Sequence, residues 1–195
     1  MNPELLIDKI FTLYELHGHD DYIGEPVSQL EHMAQAAQLA EREGFDEEVI
    51  LAAFFHDIGH LCASSSAAQM DGYGVVSHEK IGADFLRAHG FSERVARLVE
   101  GHVQAKRYLT YKYPDYYNRL SEASQQTLRF QGGRMSPDEA EQFEVSPLFG
   151  VSLRMRHWDE EAKEEHLPVP DLKRYKKMAQ RHLEQQGFVF SDTVL

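Results

Sequence analysis

His56 and Asp57 end the apolar run Leu51-Ala52-Ala53-Phe54-Phe55, and this junction constrains the fold more than any other feature of the chain. Such a run buries whatever it carries. A buried imidazole next to a buried carboxylate needs partners, because an unpaired charge in an apolar interior is costly. A metal ion is one such partner. His32, His78, His102 and Asp159 bring the set to four imidazoles and two carboxylates, spread over five successive helical segments. A helical bundle builds a dinuclear site in this way, from inward side chains on facing helices. Six ligands are too many for one ion with an open position. They suit two ions that share Asp57 as a bridge. Mixed His and carboxylate ligation fits iron or manganese better than zinc–thiolate chemistry.

The hydrophobic periodicity is helical nearly throughout, and no stretch alternates as a strand would. Leu6, Ile10 and Leu13 mark a first helix entered at Asn2-Pro3. Pro26 opens a second, with Leu30, Met33, Ala37 and Ala40 inward, His32 beside them and Gly44 as its stop. Asp46 caps a third helix whose Val49–Phe55 stretch is apolar all round and therefore central. A loop over 61–76 follows. Ser77 caps a fourth helix that stops at Gly90. Ser92 caps a fifth, on which Val95, Val99, His102 and Lys106 share a face. Residues 108–118 form a Tyr-rich connector. Further helices follow at 121–130, after the Ser136-Pro137-Asp138-Glu139 capping box, around Leu148 to Trp158, and from Leu172 to Leu183. The fold class is all-α, and 195 residues are expected to form a single domain, 1–195.

Charge and composition exclude several classes. A net charge of −12 argues against a nucleic-acid partner, which would need a basic face. No apolar stretch approaches bilayer length, so no membrane partner is expected. The one cysteine, Cys62, cannot form an internal disulfide. The first residues lack the basic-then-apolar pattern of a signal peptide. A cytoplasmic location is the expectation.

Two cations stand in register with the ligand set. Lys106 follows His102 by one helical turn, and Arg156 precedes Asp159 by nearly one. Fixed cations beside a dimetal centre make a site for a doubly charged tetrahedral group. Such groups matter more in a chain whose net charge otherwise repels anions. His60 lies one turn after His56 if that helix continues past Gly59. The acidic segment from Asp20 to Glu25 would suit a cationic far end of the same ligand. His17, His19, His89, His157, His166 and His182 are read as ordinary surface or core histidines.

The motifs Gln29-Leu30-Glu31-His32, Phe54-Phe55-His56-Asp57, Gly72-Tyr73-Gly74-Val75, His78-Glu79-Lys80, Glu100-Gly101-His102-Val103 and Gln131-Gly132-Gly133 carry a resemblance to a known family. The chain resembles the HD-domain superfamily and, within it, the mixed-valence di-iron oxygenases, most nearly those that cleave 1-hydroxy-2-aminoethylphosphonates. The resemblance runs from Asp21 to Asp159. It implies an HD-domain helical bundle with two irons per chain, an Fe(II)/Fe(III) pair, and O2 as co-substrate. One iron would be held by His32, His56, Asp57 and Asp159, the other by Asp57, His78 and His102. Asp57, His60 and Lys106 would serve catalysis. Tyr22, Glu25, His60, Lys106, Ser124 and Arg156 would bind substrate. Tyr22 would occupy an iron position while substrate is absent, and Glu25 would lie near the substrate's amino end, making the Tyr22-Ile23-Gly24-Glu25 segment a lid. Ser124 enters by the resemblance alone.

On this reading the chain oxidises C1 of (R)-1-hydroxy-2-(trimethylammonio)ethylphosphonate, after an upstream hydroxylase has installed the 1-hydroxyl, and yields glycine betaine and phosphate. The same reaction on 2-amino-1-hydroxyethylphosphonate, yielding glycine, is one alternative. Another is a metal-dependent phosphohydrolase using the same ligands, with a hydroxide attacking phosphorus. A binding module without catalysis is disfavoured because every ligand position is filled.

Overall fold

The computed structural model describes residues 3–187 apart from Ile23. Asn2 at the expected first-helix entry, and Ile23 within the expected lid, lie outside the described residues. Among the described residues eleven helices follow in order: α1 (Pro3–His17), α2 (Gln29–Arg42), α3 (Glu47–Phe55), α4 (Ile58–Cys62), α5 (His78–Ala88), α6 (Glu93–Lys112), α7 (Tyr116–Arg119), α8 (Glu122–Phe130), α9 (Pro137–Glu144), α10 (Phe149–Glu161) and α11 (Leu172–Gln185). The described residues contain no named strand, only two isolated bridges, Asp21 with Ser28 and Gln69 with Val75. None of the helices is long and apolar enough to cross a membrane.

The apolar run is central, as its pattern requires. Val49 to Phe55 are all buried, capped at Asp46, whose carboxylate accepts the Val49 N–H at 3.2 Å. Helices α2, α6 and α10 surround α3, α10 also packs on both α2 and α6, and α5 lies against α6. Phe11, Tyr14, Phe54, Phe55 and Tyr175 form a ring cluster behind α3 that fastens α1 and α11 to the bundle. Each fully buried Phe contributes roughly 1.5–3 kcal/mol relative to exposure. Small residues on the core face of α2 (Ala34, Ala36, Ala37, Ala40) leave room for α3 and α10 to approach closely.

Four local expectations are corrected. The second helix begins at Gln29, not at Pro26. Ser28 caps it and Glu31 reaches back to the Ser28 N–H at 2.7 Å, a capping box that stops the helix extending upstream. Ser77 caps nothing with its side chain; it sits in the left-handed region at φ 57°. The Tyr-rich stretch is helical as far as Lys112, because α6 runs 20 residues and buries Tyr108 against Phe149. Finally, the helix carrying His56 does not continue to His60. It ends at Phe55, and Asp57, at φ −105° and ψ 11°, starts the separate α4. That break lets His56 and Asp57 both face inward.

Candidate metal centre

All six expected ligands are buried and converge. His32 comes from α2, His56 and Asp57 from the α3–α4 junction, His78 from the first turn of α5, His102 from α6 and Asp159 from α10. Asp57 lies in the middle. Its Oδ2 faces His32 Nε2 at 3.7 Å and His56 Nε2 at 3.5 Å, while its Oδ1 faces His78 Nε2 at 3.2 Å and His102 Nε2 at 3.5 Å. Asp159 Oδ1 adds to the first group, 3.3 Å from His32 Nε2 and 3.9 Å from His56 Nε2. Two clusters with metal-ligand spacing result, His32/His56/Asp57 and Asp57/His78/His102, with Asp57 common to both.

The donor chemistry fits two cations. His32 Nδ1 donates to the Ala162 carbonyl at 2.9 Å, His56 Nδ1 to Ala53 at 2.8 Å and His102 Nδ1 to Val99 at 2.6 Å. A carbonyl can only accept, so each Nδ1 carries a proton, which leaves Nε2 of a neutral ring to present its lone pair inward. Yet His32 and His56 bring their Nε2 atoms to 3.0 Å, and His78 and His102 bring theirs to 3.2 Å. In the first pair both Nδ1 protons are fixed by carbonyls, so two lone pairs face each other there and repel unless a cation lies beside both. His78 Nδ1 and Glu79 Oε2 are buried without hydrogen-bond partners, 3.8 Å apart, placing a carboxylate behind the remaining imidazole.

The electrostatics agree at His56, His102, Asp57 and Asp159, whereas at His78, against burial, the facing Asp57 raises the pKa. Burial, opposed by Asp57, pushes His102 down to about 3, and burial likewise lowers His56, so both rings are neutral ligands. Burial opposes ionisation of Asp57, but the surrounding imidazoles, His56 first, hold its carboxyl well below the usual range. Asp159 is also held well below it, against burial and chiefly by Arg156.

A cavity opens from the centre, lined by Asp57, Asp159, His78 and His102 at its floor and by Tyr22, Glu25, His60, Lys106, Ser124 and Arg156 above. All of the substrate residues expected from sequence are therefore on its wall. Lys106 is buried, donates to Thr127 Oγ1 at 3.0 Å, and is pushed down to about 7 by burial and by Arg156. Arg156 is buried among Asp159, Glu160 at 2.9 Å, Tyr116 Oη at 3.0 Å and Ser124 Oγ at 3.4 Å. His60 stacks on His78 with ring centroids 4.1 Å apart, and its Nδ1 accepts the Val75 N–H at 3.1 Å, so Nε2 carries the proton. Tyr22 stacks on His32, centroids 4.0 Å apart. Asp20 and Asp21 are exposed and outside this wall. The acidic character attributed to the 20–25 segment thus reduces, at the cavity, to Glu25.

Several residues here were not anticipated. Thr127 follows Ser124 by three on α8, a spacing that shares a helical face once the helix is known. Tyr116 and Glu160 orient Arg156, but Tyr116 was hidden in a stretch read as connector. Gly74 approaches His60 so closely that a Cβ there would lie 2.6 Å from the ring. Nothing in the sequence marked Lys163, which meets Glu25.

Comparison with known proteins places this geometry. The HD domain family matches residues 29–141, which include five of the six ligands and leave Asp159 outside. Over 185 residues the chain is 37% identical to a glycine-betaine-forming (1-hydroxy-2-(trimethylamino)ethyl)phosphonate dioxygenase of Leisingera caerulea, covering 95% of this chain and 94% of the relative. It is 39% identical over 183 residues to a hydroxymethylphosphonate dioxygenase of Gimesia maris, covering 93% and 90%. An uncharacterized protein, L432, of Acanthamoeba polyphaga mimivirus is 43% identical over 180 residues, covering 92% and 82%. The chain belongs to the HD-domain family, and within it to the enzymes represented by these two dioxygenases.

Proposed function

We propose that this protein is a di-iron oxygenase that cleaves the C–P bond of a 1-hydroxyphosphonate. The observation that carries the reading is the Asp57-bridged pair of ligand clusters opening into a cavity walled by two buried cations, Lys106 and Arg156. His32, His56, Asp57 and Asp159 would hold one iron, and Asp57, His78 and His102 the other. When bound, the pair supplies the redox chemistry by which O2 oxidises C1. The balance is complete without another reductant: the four electrons that reduce O2 come from C1, the C1–H and C–P bonds break, and a carboxylate and phosphate leave.

The chain's own residues do the rest. Lys106 and Arg156 neutralise the phosphonate dianion, and an anion between them restores the Lys106 charge that burial and Arg156 disfavour. Ser124 and the Nε2–H of His60 donate to its remaining oxygens or to the 1-hydroxyl. Tyr22, stacked on His32, would serve as a further iron ligand while substrate is absent. Removing it would abolish a tyrosinate–Fe(III) absorption band. In the wild type that band fades when substrate is added under nitrogen. Its persistence in Tyr22→Phe would overturn the assignment.

The resemblance in sequence supports (R)-1-hydroxy-2-(trimethylammonio)ethylphosphonate as substrate, with glycine betaine and phosphate as products, and the 2-amino compound as its alternative. Both carry a cation at the far end. A second class, 1-hydroxyphosphonates without that cation, is favoured by one contact, the pairing of Glu25 with Lys163. Oxygen uptake and phosphate release, measured side by side on a panel of these compounds, test the reaction. Equal consumption of O2 and release of phosphate is expected. Phosphate release at full rate under strict anaerobiosis would replace the oxygenase by a phosphohydrolase.

A further inference from the structure

Glu25 is the one carboxylate among the described cavity-lining residues that is not an expected metal ligand. It is already satisfied. Its Oε1 accepts from Lys163 Nζ at 2.5 Å and from Ser121 Oγ at 2.6 Å, and Lys163 Nζ also reaches Ser121 Oγ at 3.4 Å. The ion pair is largely out of water, with side-chain exposures of 17% for Lys163 and 9% for Glu25.

Lys163 is not a loose surface lysine. It follows the end of α10 by two residues, in a stretch tied to α2 on both sides. The Ala162 carbonyl accepts from His32 Nδ1, and buried Gln35 exchanges two hydrogen bonds with the Glu164 backbone at 2.8 and 3.0 Å. Lys163 stands between those anchors, so its position over Glu25 is set by the same helix that carries a metal ligand. Ser121, the third member, is the N-cap of α8, whose first turns carry Ser124 and Thr127 to the phosphonate end.

We infer that Lys163 is a specificity-determining residue: it is the resident counter-ion of Glu25 and stands where a substrate cation would need to pair, so the site favours 1-hydroxyphosphonates with an uncharged far end. This rests on the oxygenase reading and deepens it to a substrate class. A trimethylammonium group has no N–H and cannot replace the hydrogen bond that Lys163 donates. Displacing the lysine would leave that bond unmade in a buried place, and sitting beside it would set like charges together in a medium of low dielectric. An uncharged far end leaves the pair intact.

Calorimetric titration under nitrogen of the iron-loaded full-length protein tests this, with hydroxymethylphosphonate and (R)-1-hydroxy-2-(trimethylammonio)ethylphosphonate as ligands and oxygen uptake measured in parallel. Wild type is expected to bind the hydroxymethyl compound more tightly. Lys163→Met exposes an unpaired Glu25 and should move the ratio of dissociation constants toward the trimethylammonium compound by about tenfold or more. Lys163→Arg keeps the counter-ion and should keep the wild-type ratio, and Glu25→Gln should cancel the effect of Lys163→Met. An unchanged ratio in Lys163→Met, equal weakening of both ligands, tighter wild-type binding of the trimethylammonium compound, or binding of neither would overturn the inference. Binding in the expected order without oxygen uptake would overturn the oxygenase reading and leave the role of Lys163 standing.

Discussion

The floor of the cavity and its rim are built by different means. On the floor, every ligand lies on a helix or at a helix junction, and three of the four imidazoles are fixed by a backbone carbonyl behind them. On the rim, Glu25, Tyr73 and Gly74 come from turns and coil between helices, and side chains are held by other side chains: Glu25 by Lys163 and Ser121 behind it, Lys106 by Thr127, Arg156 by Tyr116 and Glu160. A floor locked to backbone suits metal, which tolerates little displacement of its donors. A rim locked by side chains can exchange one partner for another, which suits binding and release of an anion.

The largest effect should come from breaking the floor at its shared member. Asp57→Ala removes an oxygen from each cluster, so both irons should be lost and activity with them. Metal analysis of protein purified from iron-supplemented cells checks this, alongside a circular dichroism spectrum to confirm the helices. One iron retained at full occupancy would show that Asp57 does not bridge, and the two clusters would have to be treated separately.

Cutting the rim should leave the floor intact. Lys106→Ala and Arg156→Ala are each expected to keep both irons yet lose about 10- to 150-fold in kcat/KM, the equivalent of one charge-assisted contact of about 1.5–3 kcal/mol. The Arg156 variant should lose more, since its guanidinium also steadies Asp159. Loss of iron in either variant would erase the distinction between floor and rim.

That distinction also explains what could be read from sequence. The convergence of the six residues was legible because helical periodicity reports which residues turn inward, and His102/Lys106 or Arg156/Asp159 spacings translate directly into shared faces. The break after Phe55 was not legible: Ile58 and Gly59 continue an apolar pattern, and only the packing of Gly59 against the His78 backbone shows why the chain must turn there. Lys163 was invisible because its partner is 138 positions away, and no local pattern encodes a coil residue aimed by the Gln35–Glu164 bonds. Tyr116 was missed because a run of tyrosines reads as connector whether or not one ring turns inward to an arginine.

A smaller effect is expected at Gly74, where the rim touches the floor. Its φ of +95° and its contact with the His60 ring both disfavour a side chain. Gly74→Ala should shift His60 and strain the turn by about 1–2 kcal/mol. KM should rise by about tenfold or less, with iron content unchanged. A matching loss of iron would mean that His60 supports its stacking partner His78 and belongs with the floor.

The smallest effect lies behind the floor, where α11 holds the start of α6. Buried His182 accepts the Ser92 N–H through Nε2 at 3.1 Å and stacks on Phe91, with Glu48 3.8 Å from its other nitrogen. An accepting Nε2 requires the neutral ring, and burial lowers the folded-state pKa despite Glu48. The unfolded chain therefore takes up the proton first. The contribution is present above the ordinary histidine value of about 6.5 and fades as pH falls below it. His182→Gln can still accept the same N–H through its amide oxygen but does not titrate. Thermal melts of the iron-loaded wild type and variant, at pH 7.5 and 5.5, should show the wild type losing more on acidification, by on the order of 2 °C. The residues of the candidate centre are the same in both proteins, so their effects cancel in the difference. Equal losses would mean that folding leaves the His182 pKa unshifted, and its bond to Ser92 would then carry no pH-dependent stability.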